Sequence, residues 1–261
     1  MKIHNSIILV SAVLLIAVQA QAKVVTRTIP YEDKGTSLTG YLAYDDAVSG
    51  RRPAVLVVHE WWGLNDYARQ RAVKLAKLGY VAFALDMYGT GKVTDHPKQA
   101  GEWSKAISQN KAKWLQRAMA GLTVLKSQPQ TDPDRMAAIG YCFGGGTVQQ
   151  LAYAGVGLKG VVSFHGSLQE PPAGMSQKTD TQLLICHGGA DPFVPPDNLQ
   201  AYLTAMAASR LHYQVNIYGG AKHSFTNPDA AKHHMDALAY NPSADRRSWE
   251  AMQRFFKEIF N

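Results

Sequence analysis

Met136-Ala137-Ala138-Ile139-Gly140-Tyr141-Cys142-Phe143-Gly144-Gly145-Gly146 decides how this chain is read. A short apolar run reaches Gly140, Tyr141 and Cys142 follow, and three glycines come next. That is a strand turning sharply into a helix, with Gly140 and Gly144 placed where a side chain would collide with the neighbouring element. The pattern G-x-C-x-G is a nucleophile elbow carrying Cys in place of Ser. The turn pushes the side chain clear of the backbone, and the helix N-terminus behind it favours negative charge. Taken alone, the stretch also fits a buried cysteine ahead of a glycine-rich helix start, because free Cys often serves as a small core hydrophobe.

The flanking chain repeats one plan. Val24 to Ile29 and Leu38 to Tyr44 read as an opening antiparallel hairpin around Glu32-Asp33-Lys34-Gly35. Ala54 to Val58 is a continuous apolar run, as in a strand buried on both faces, and it leads into His59-Glu60-Trp61-Trp62-Gly63. A helix capped by Asn65 or Asp66 runs to about Leu78, and Val81 to Leu85 is the next strand. The glycine-bearing loop from Asp86 towards Pro97 is expected to lie over the site. It lacks the G-x-x-x-x-G-K-[ST] spacing of a phosphate-binding loop. Helical spacing then covers Pro97 to Leu125, where Trp114, Leu115, Ala118, Met119, Leu122 and Leu125 form a core stripe. After the elbow come strands at Gly160 to Phe164, Gln182 to Ile185 and Tyr213 to Tyr218, with a helix near Asp197 to Ala208 and a last one near Asp245 to Phe260. Alternation of this kind predicts a mostly parallel sheet flanked by helices on both faces. Chemistry in such sheets gathers at the carboxyl ends of the strands.

If Cys142 is a nucleophile, an acid and then a histidine should follow at later strand ends. Asp191 stands just beyond one strand, in His187-Gly188-Gly189-Ala190-Asp191-Pro192. His223 stands just beyond the next, in Gly219-Gly220-Ala221-Lys222-His223-Ser224-Phe225. One such loop would be unremarkable, because Asp is common in turns. Three candidates in the required order at three strand ends favour a catalytic set.

These residues carry a resemblance. His59-Glu60-Trp61-Trp62-Gly63, Gly140-Tyr141-Cys142-Phe143-Gly144-Gly145, Gly189-Ala190-Asp191-Pro192 and His223-Ser224-Phe225 resemble the dienelactone hydrolase family, a cysteine-nucleophile branch of the α/β-hydrolase fold. The likeness extends from the opening hairpin to the last helix. It implies Cys142 as nucleophile, His223 as base, Asp191 as the group orienting that base, and Glu60 as a participant in forming the thiolate. It also implies an oxyanion hole made by the backbone N–H groups of Trp61 and Phe143. Trp62, Tyr88 and Lys92 are candidate substrate-binding residues. The substrate class implied is a small ester or lactone.

In that family an arginine follows the Asp-Leu-Tyr-like motif, and another lies four residues past the catalytic histidine. Here those positions are Thr90 and Asn227, so uncharged esters are expected to serve at least as well as carboxylate-bearing lactones. Lys92 or Lys222 is the available replacement cation.

Residues 1–22 read as a signal peptide. Lys2 precedes an apolar run from Ile7 to Val18, and Ala20-Gln21-Ala22 supplies the small-x-small cleavage pattern. The run is short for a membrane span. The expectation is an exported, periplasmic or secreted chain with one domain over residues 23–261. The formal charge of +7 becomes +6 without Lys2 and is spread along the sequence, with no basic stripe or module of a nucleic-acid binder. No nucleic acid, stable membrane span, cofactor or metal is expected, and a monomer is the expected state. His59 and Glu60, adjacent on a strand end, should point in opposite directions, and no zinc-type spacing occurs. His165 and His187 either line the pocket or satisfy loop carbonyls, and His233-His234 reads as surface. Of Trp61 and Trp62, one should floor the pocket and one fill the core. Cys142 and Cys186 could pair as a disulfide, but Cys186 lies inside Leu183-Leu184-Ile185-Cys186, so both are expected reduced. Two competing readings are a catalytically silent binding protein on the same scaffold and a thiol redox protein. The intact Cys-Asp-His set argues against the first, and the absence of C-x-x-C against the second.

Overall fold

A computed structural model of the chain describes residues 23–172 and 179–261. The leader expected over residues 1–22 lies outside them. The strands are β1 (Val24–Asp33), β2 (Thr36–Asp45), β3 (Arg52–Val58), β4 (Val81–Leu85), β5 (Thr131–Tyr141), β6 (Gly160–Phe164), β7 (Gln182–Gly188) and β8 (Tyr213–Tyr218). They form one sheet in the order β1-β2-β4-β3-β5-β6-β7-β8. β1 and β2 pair antiparallel, as the hairpin reading expects, across Lys34 and Gly35 with φ of 45° and 76°. Two consecutive positive φ values give the turn whose twist matches the flanking strands. β2 pairs antiparallel with β4, and every later pairing is parallel.

The helices are α1 (Asp66–Lys77), α2 (Pro97–Ser108), α3 (Lys111–Lys126), α4 (Phe143–Tyr153), α5 (Pro196–Ser209) and α6 (Pro242–Phe260). The central strands are buried on both faces, and successive residues supply two cores. Ala54, Leu56 and Val58 pack with residues of α2 to α5, whereas Val55 and Val57 pack with α1 and α6. Burying apolar surface at about 25 cal/mol per Å² on each face is what holds the layers together. α6 docks through Met252, Phe256 and Ile259, with Trp249 partly buried beside them.

One expectation needs correction. The helical stretch after Pro97 is two helices, because Asn110 accepts a hydrogen bond from Lys113 N at 3.0 Å and so caps α3. Helical periodicity runs straight through that break and hides it. At α1 the cap is Asn65, which accepts from Ala68 N at 3.3 Å. Among the described residues, no helix is long and apolar enough to cross a membrane.

Candidate active site

The candidate catalytic residues hang on the carboxyl ends of β3, β5, β7 and β8, and α2 and α3 complete the pocket wall. Between β5 and α4, Cys142 adopts φ 54° and ψ −115°, a left-handed conformation rare for a residue with a side chain. The close packing around it shows why glycine flanks it. A Cβ at Gly140 would lie 1.9 Å from Gly144 O, and one at Gly144 would lie 2.3 Å from Val58 O. The elbow therefore lies tight against the end of β3, and strain of this sort persists only where its surroundings enforce it.

Asp191 and His223 meet, although β7 and β8 carry them on separate loops. His223 Nδ1 and Asp191 Oδ2 are 2.7 Å apart, and the other carboxylate oxygen accepts from Phe193 N at 2.9 Å. The two loops are joined by backbone bonds, Ala190 N to Ala221 O at 2.9 Å and Gly189 N to Tyr218 O at 2.8 Å. Burial opposes a charged imidazole at His223. The neighbouring Cys142 sulfur, together with the Asp191 carboxylate, outweighs it and pushes His223 up to about 10. With Nδ1 committed to Asp191, Nε2 is the nitrogen available to the sulfur.

Glu60 is placed differently from what the resemblance implies. Its two carboxyl oxygens accept from Ser224 Oγ at 2.7 Å and Asn227 Nδ2 at 2.8 Å, which commits them to the loop behind His223 rather than to the thiol. Burial raises its pKa above the usual carboxyl range, against the effect of those two donors and of His223. Asn227, at the expected arginine position, is thereby occupied as well. The same loop is tied down from below. Arg71 donates to Thr226 O and pairs with Asp245 at 2.8 Å, while Tyr67 and His165 contact Thr226 Oγ1 at 2.6 and 2.7 Å.

Cys142 and His223 open on a pocket of about 480 Å³. Trp61, Trp114 and Phe143 line it with Phe193 and Val194, and Ser104, Ser108, Ser167 and Gln169 add uncharged polar groups. No Lys or Arg is among its described lining residues. Trp114 stacks on Phe143 at 5.7 Å, and Phe193 stands edge-on to His223 at 5.0 Å. Neither Trp61 N–H nor Phe143 N–H has a hydrogen-bond acceptor among the described residues, so both are free to meet a ligand.

Several expected positions are corrected. Trp62 is fully buried, stacked on His233 at 3.7 Å within its own small core, so it is not a pocket residue. His233 is accordingly half-buried rather than surface. Lys92 and Tyr88 line a separate cavity of about 170 Å³ with Trp103, Lys113 and Arg117. Tyr88 still touches the site indirectly, its ring 5.7 Å from that of Phe143. The loop after β4 supplies no described lining residue and packs instead on the Trp61-Trp62 turn, where Thr94 N donates to Trp62 O at 3.0 Å. Lys222 turns away, its Nζ bonding Asp236 O at 2.8 Å. His165 and His187 are buried, and burial lowers the pKa of each. His165 satisfies Thr226 and does not line the pocket.

Sequence reasoning missed Phe193 and Val194, although they directly follow the acid loop. It also missed Ser104 and Ser108, whose one-turn spacing on α2 points both at the pocket. Cys142 and Cys186 are unbonded and belong to opposite faces of the sheet, which fits two reduced thiols. Among the described residues, no group of three or more His, Cys, Asp or Glu is arranged to hold a metal.

The model of the dienelactone hydrolase family matches residues 38–260. A dienelactone hydrolase-like promiscuous phosphotriesterase from metagenomic libraries is 38% identical and superposes with a TM-score of 0.88, over 92% of this chain and 100% of that one. The structure named m3DLH is 39% identical with a TM-score of 0.87, over 91% and 99% of the two chains. A Bradyrhizobium sp. protein named as a probable 2-oxo-3-(5-oxofuran-2-ylidene)propanoate lactonase is 28% identical, covering 86% of this chain and 92% of that protein.

Proposed function

The chain belongs to the dienelactone hydrolase family and is an ester or lactone hydrolase, and from that premise we propose that it works through Cys142, His223 and Asp191 by way of a thioester. The observation that carries the reading is the 2.7 Å Asp191–His223 contact beside a cysteine held at positive φ in the same pocket.

Asp191 holds Nδ1–H of His223 and so fixes the ring, leaving Nε2 to take the Cys142 proton so that the sulfur reacts as thiolate. The sulfur attacks the carbonyl carbon, and the carbonyl oxygen takes up the negative charge. The N–H groups of Trp61 and Phe143 receive that oxygen, each donor contributing about 3 kcal/mol to the transition state. Collapse of the tetrahedral intermediate breaks the bond to the leaving oxygen, which takes the His223 proton. A water then gives its proton to His223 and attacks the thioester, releasing the acid and restoring the thiolate. Glu60, through Ser224 and Asn227, orients the loop that carries the base.

The pocket favours uncharged substrates, because no Lys or Arg is among its described lining residues to pair with a carboxylate. A charge-assisted hydrogen bond is worth about 1.5–3 kcal/mol, so its absence should remove any preference for acidic lactones. Neutral phosphotriesters are a second candidate substrate class of the same charge, their tetrahedral phosphorus resembling the tetrahedral intermediate of ester cleavage, in line with the metagenomic relative's name. Turnover of one activated aryl ester with and without a carboxylate, and of a neutral aryl phosphotriester, tests this at low and high salt. Comparable ester rates, insensitive to salt, are expected. A strong carboxylate preference that weakens with salt and disappears in Lys92→Ala would contradict it.

We also read the chain as exported, from Lys2, the Ile7 to Val18 run and Ala20-Gln21-Ala22. Fractionation with N-terminal sequencing should find a chain beginning near Lys23 outside the cytoplasm. Uncleaved protein in the cytoplasm would refute the export reading.

A further inference from the structure

We propose that His59 is a positioning residue that sets the direction of the Trp61 N–H, a role that rests on the thioester reading above. His59 is fully buried at the end of β3. Both of its ring nitrogens are committed. Met87 N–H, a donor only, bonds Nε2 at 3.2 Å, so Nε2 carries the lone pair. The proton of the neutral ring is then on Nδ1, which donates to the carbonyl oxygen of Glu60 at 2.5 Å. Burial keeps the ring in this neutral form by lowering its pKa.

The accepting carbonyl and the Trp61 N–H belong to one peptide unit. That unit is planar and trans, as are all the described peptides, so its C=O and N–H point in opposite directions. Fixing the carbonyl therefore fixes the donor. The Trp61 N–H, which has no acceptor among the described residues, is held on the side away from His59. The only other described donor to Glu60 O is Gly63 N at 3.4 Å, from within the same turn. Gly63 has φ 93°, a conformation open to glycine, and so adds little stiffness of its own. A flipped peptide would present a carbonyl oxygen where the developing oxyanion needs a donor. Through Met87, just past β4, His59 references this peptide to the sheet rather than to its own turn.

The sequence places His59 beside Glu60 and draws attention to the carboxylate. The structure gives the histidine the more direct connection to the oxyanion donor. His59 is fully buried and is not among the described pocket-lining residues, so its effect is transmitted through one peptide plane.

Two near-isosteric substitutions separate this role from packing. In His59→Asn the amide N–H can still reach Glu60 O, whereas His59→Leu has no donor. Acylation is followed as the burst of p-nitrophenol from an activated ester. Alkylation of Cys142 by iodoacetamide, which develops no oxyanion, is followed in parallel. His59→Leu should slow acylation by about 100-fold, the size of one lost oxyanion donor, with alkylation within about threefold of wild type. His59→Asn should recover at least about tenfold of that loss and remain within about tenfold of wild type, a requirement that stands even if His59→Leu fails to fold. Equal acylation rates for the two variants, or alkylation falling in step with acylation, would overturn the role of His59. Failure of the underlying reading looks different, because the wild type itself would then give no acyl adduct on Cys142.

Discussion

The molecule carries the same side chain, a cysteine, in two regions of one sheet, and they could hardly differ more. Cys142 stands at the elbow after β5, half-buried, at positive φ, facing the pocket and the His223 ring. Cys186 lies inside β7 in ordinary parallel register with Phe164 and Asn216, fully buried. Burial pushes its thiol up to about 12, only partly offset by the Tyr218 hydroxyl 3.8 Å away. The first sulfur has a histidine, a cavity and a helix N-terminus, and the second has a hydrocarbon core and one tyrosine hydroxyl. On the proposed mechanism, what separates the nucleophile from a core atom is a strained turn and a neighbouring histidine, not the residue type.

Substitution is the harshest way to break that contrast. Cys142→Ala should lower kcat/KM for an activated ester by at least about 10⁴-fold, as expected when a nucleophile is removed and only binding groups remain. Survival of more than a hundredth of the activity would place the nucleophile elsewhere. Gly140→Ala attacks the turn itself. Its new Cβ would start 1.9 Å from Gly144 O, backbone that cannot swing aside, so destabilisation above about 4 kcal/mol is expected in denaturant unfolding. A loss below about 1 kcal/mol would show that the elbow is looser than described.

The remaining tests sharpen the comparison. Iodoacetamide under native conditions should label Cys142 at least about 100-fold faster than Cys186, since the thiolate is the reactive form and only one sulfur is both accessible and paired. Equal labelling would contradict the burial of β7. In an NMR titration His223 should keep its proton past pH 8 in wild type. Its midpoint should fall by at least about one unit in Cys142→Ala, because the neighbouring sulfur is the leading influence that raises it. The sign of the linkage follows. Stability from this raised pKa is complete below the unfolded value of about 6.5 and is lost as the pH climbs to about 10. An unchanged midpoint in the variant would mean that the sulfur and the ring do not interact. The smallest effect belongs to Cys186→Ala, with activity within about twofold and stability lower by about 1 kcal/mol, the cost of a small core truncation.

The contrast between the cysteines was largely readable in the sequence. The apolar run around Cys186 and the glycines around Cys142 are local signals, and strand-end position supplied Asp191 and His223. What escaped depends on contacts far apart in the chain. Glu60 finds Ser224 and Asn227 across more than 160 residues, and no local pattern encodes that pairing. Trp61 and Trp62 are chemically alike neighbours, and only the geometry of the turn sends one to the pocket and the other onto His233. The loop after β4 was expected above the site, yet Gly63 lets its backbone approach so closely that it packs on the Trp61-Trp62 turn. A Cβ at Gly63 would lie 2.2 Å from Lys92 O. Lys92 is thereby drawn to a different cavity, so the lack of a lysine or arginine among the described pocket residues, foreshadowed by Thr90 and Asn227, is completed by the three-dimensional arrangement.

The central claim is that the elbow sulfur becomes covalently acylated during turnover. Intact-mass and peptide analysis of the protein, quenched in acid during reaction with a slowly hydrolysed ester, tests it most directly. One added acyl group is expected on the peptide bearing Cys142, removed by hydroxylamine, with the peptide bearing Cys186 unmodified. Steady turnover with no acyl group on the Cys142 peptide, or an adduct of equal yield in Cys142→Ala, would contradict it.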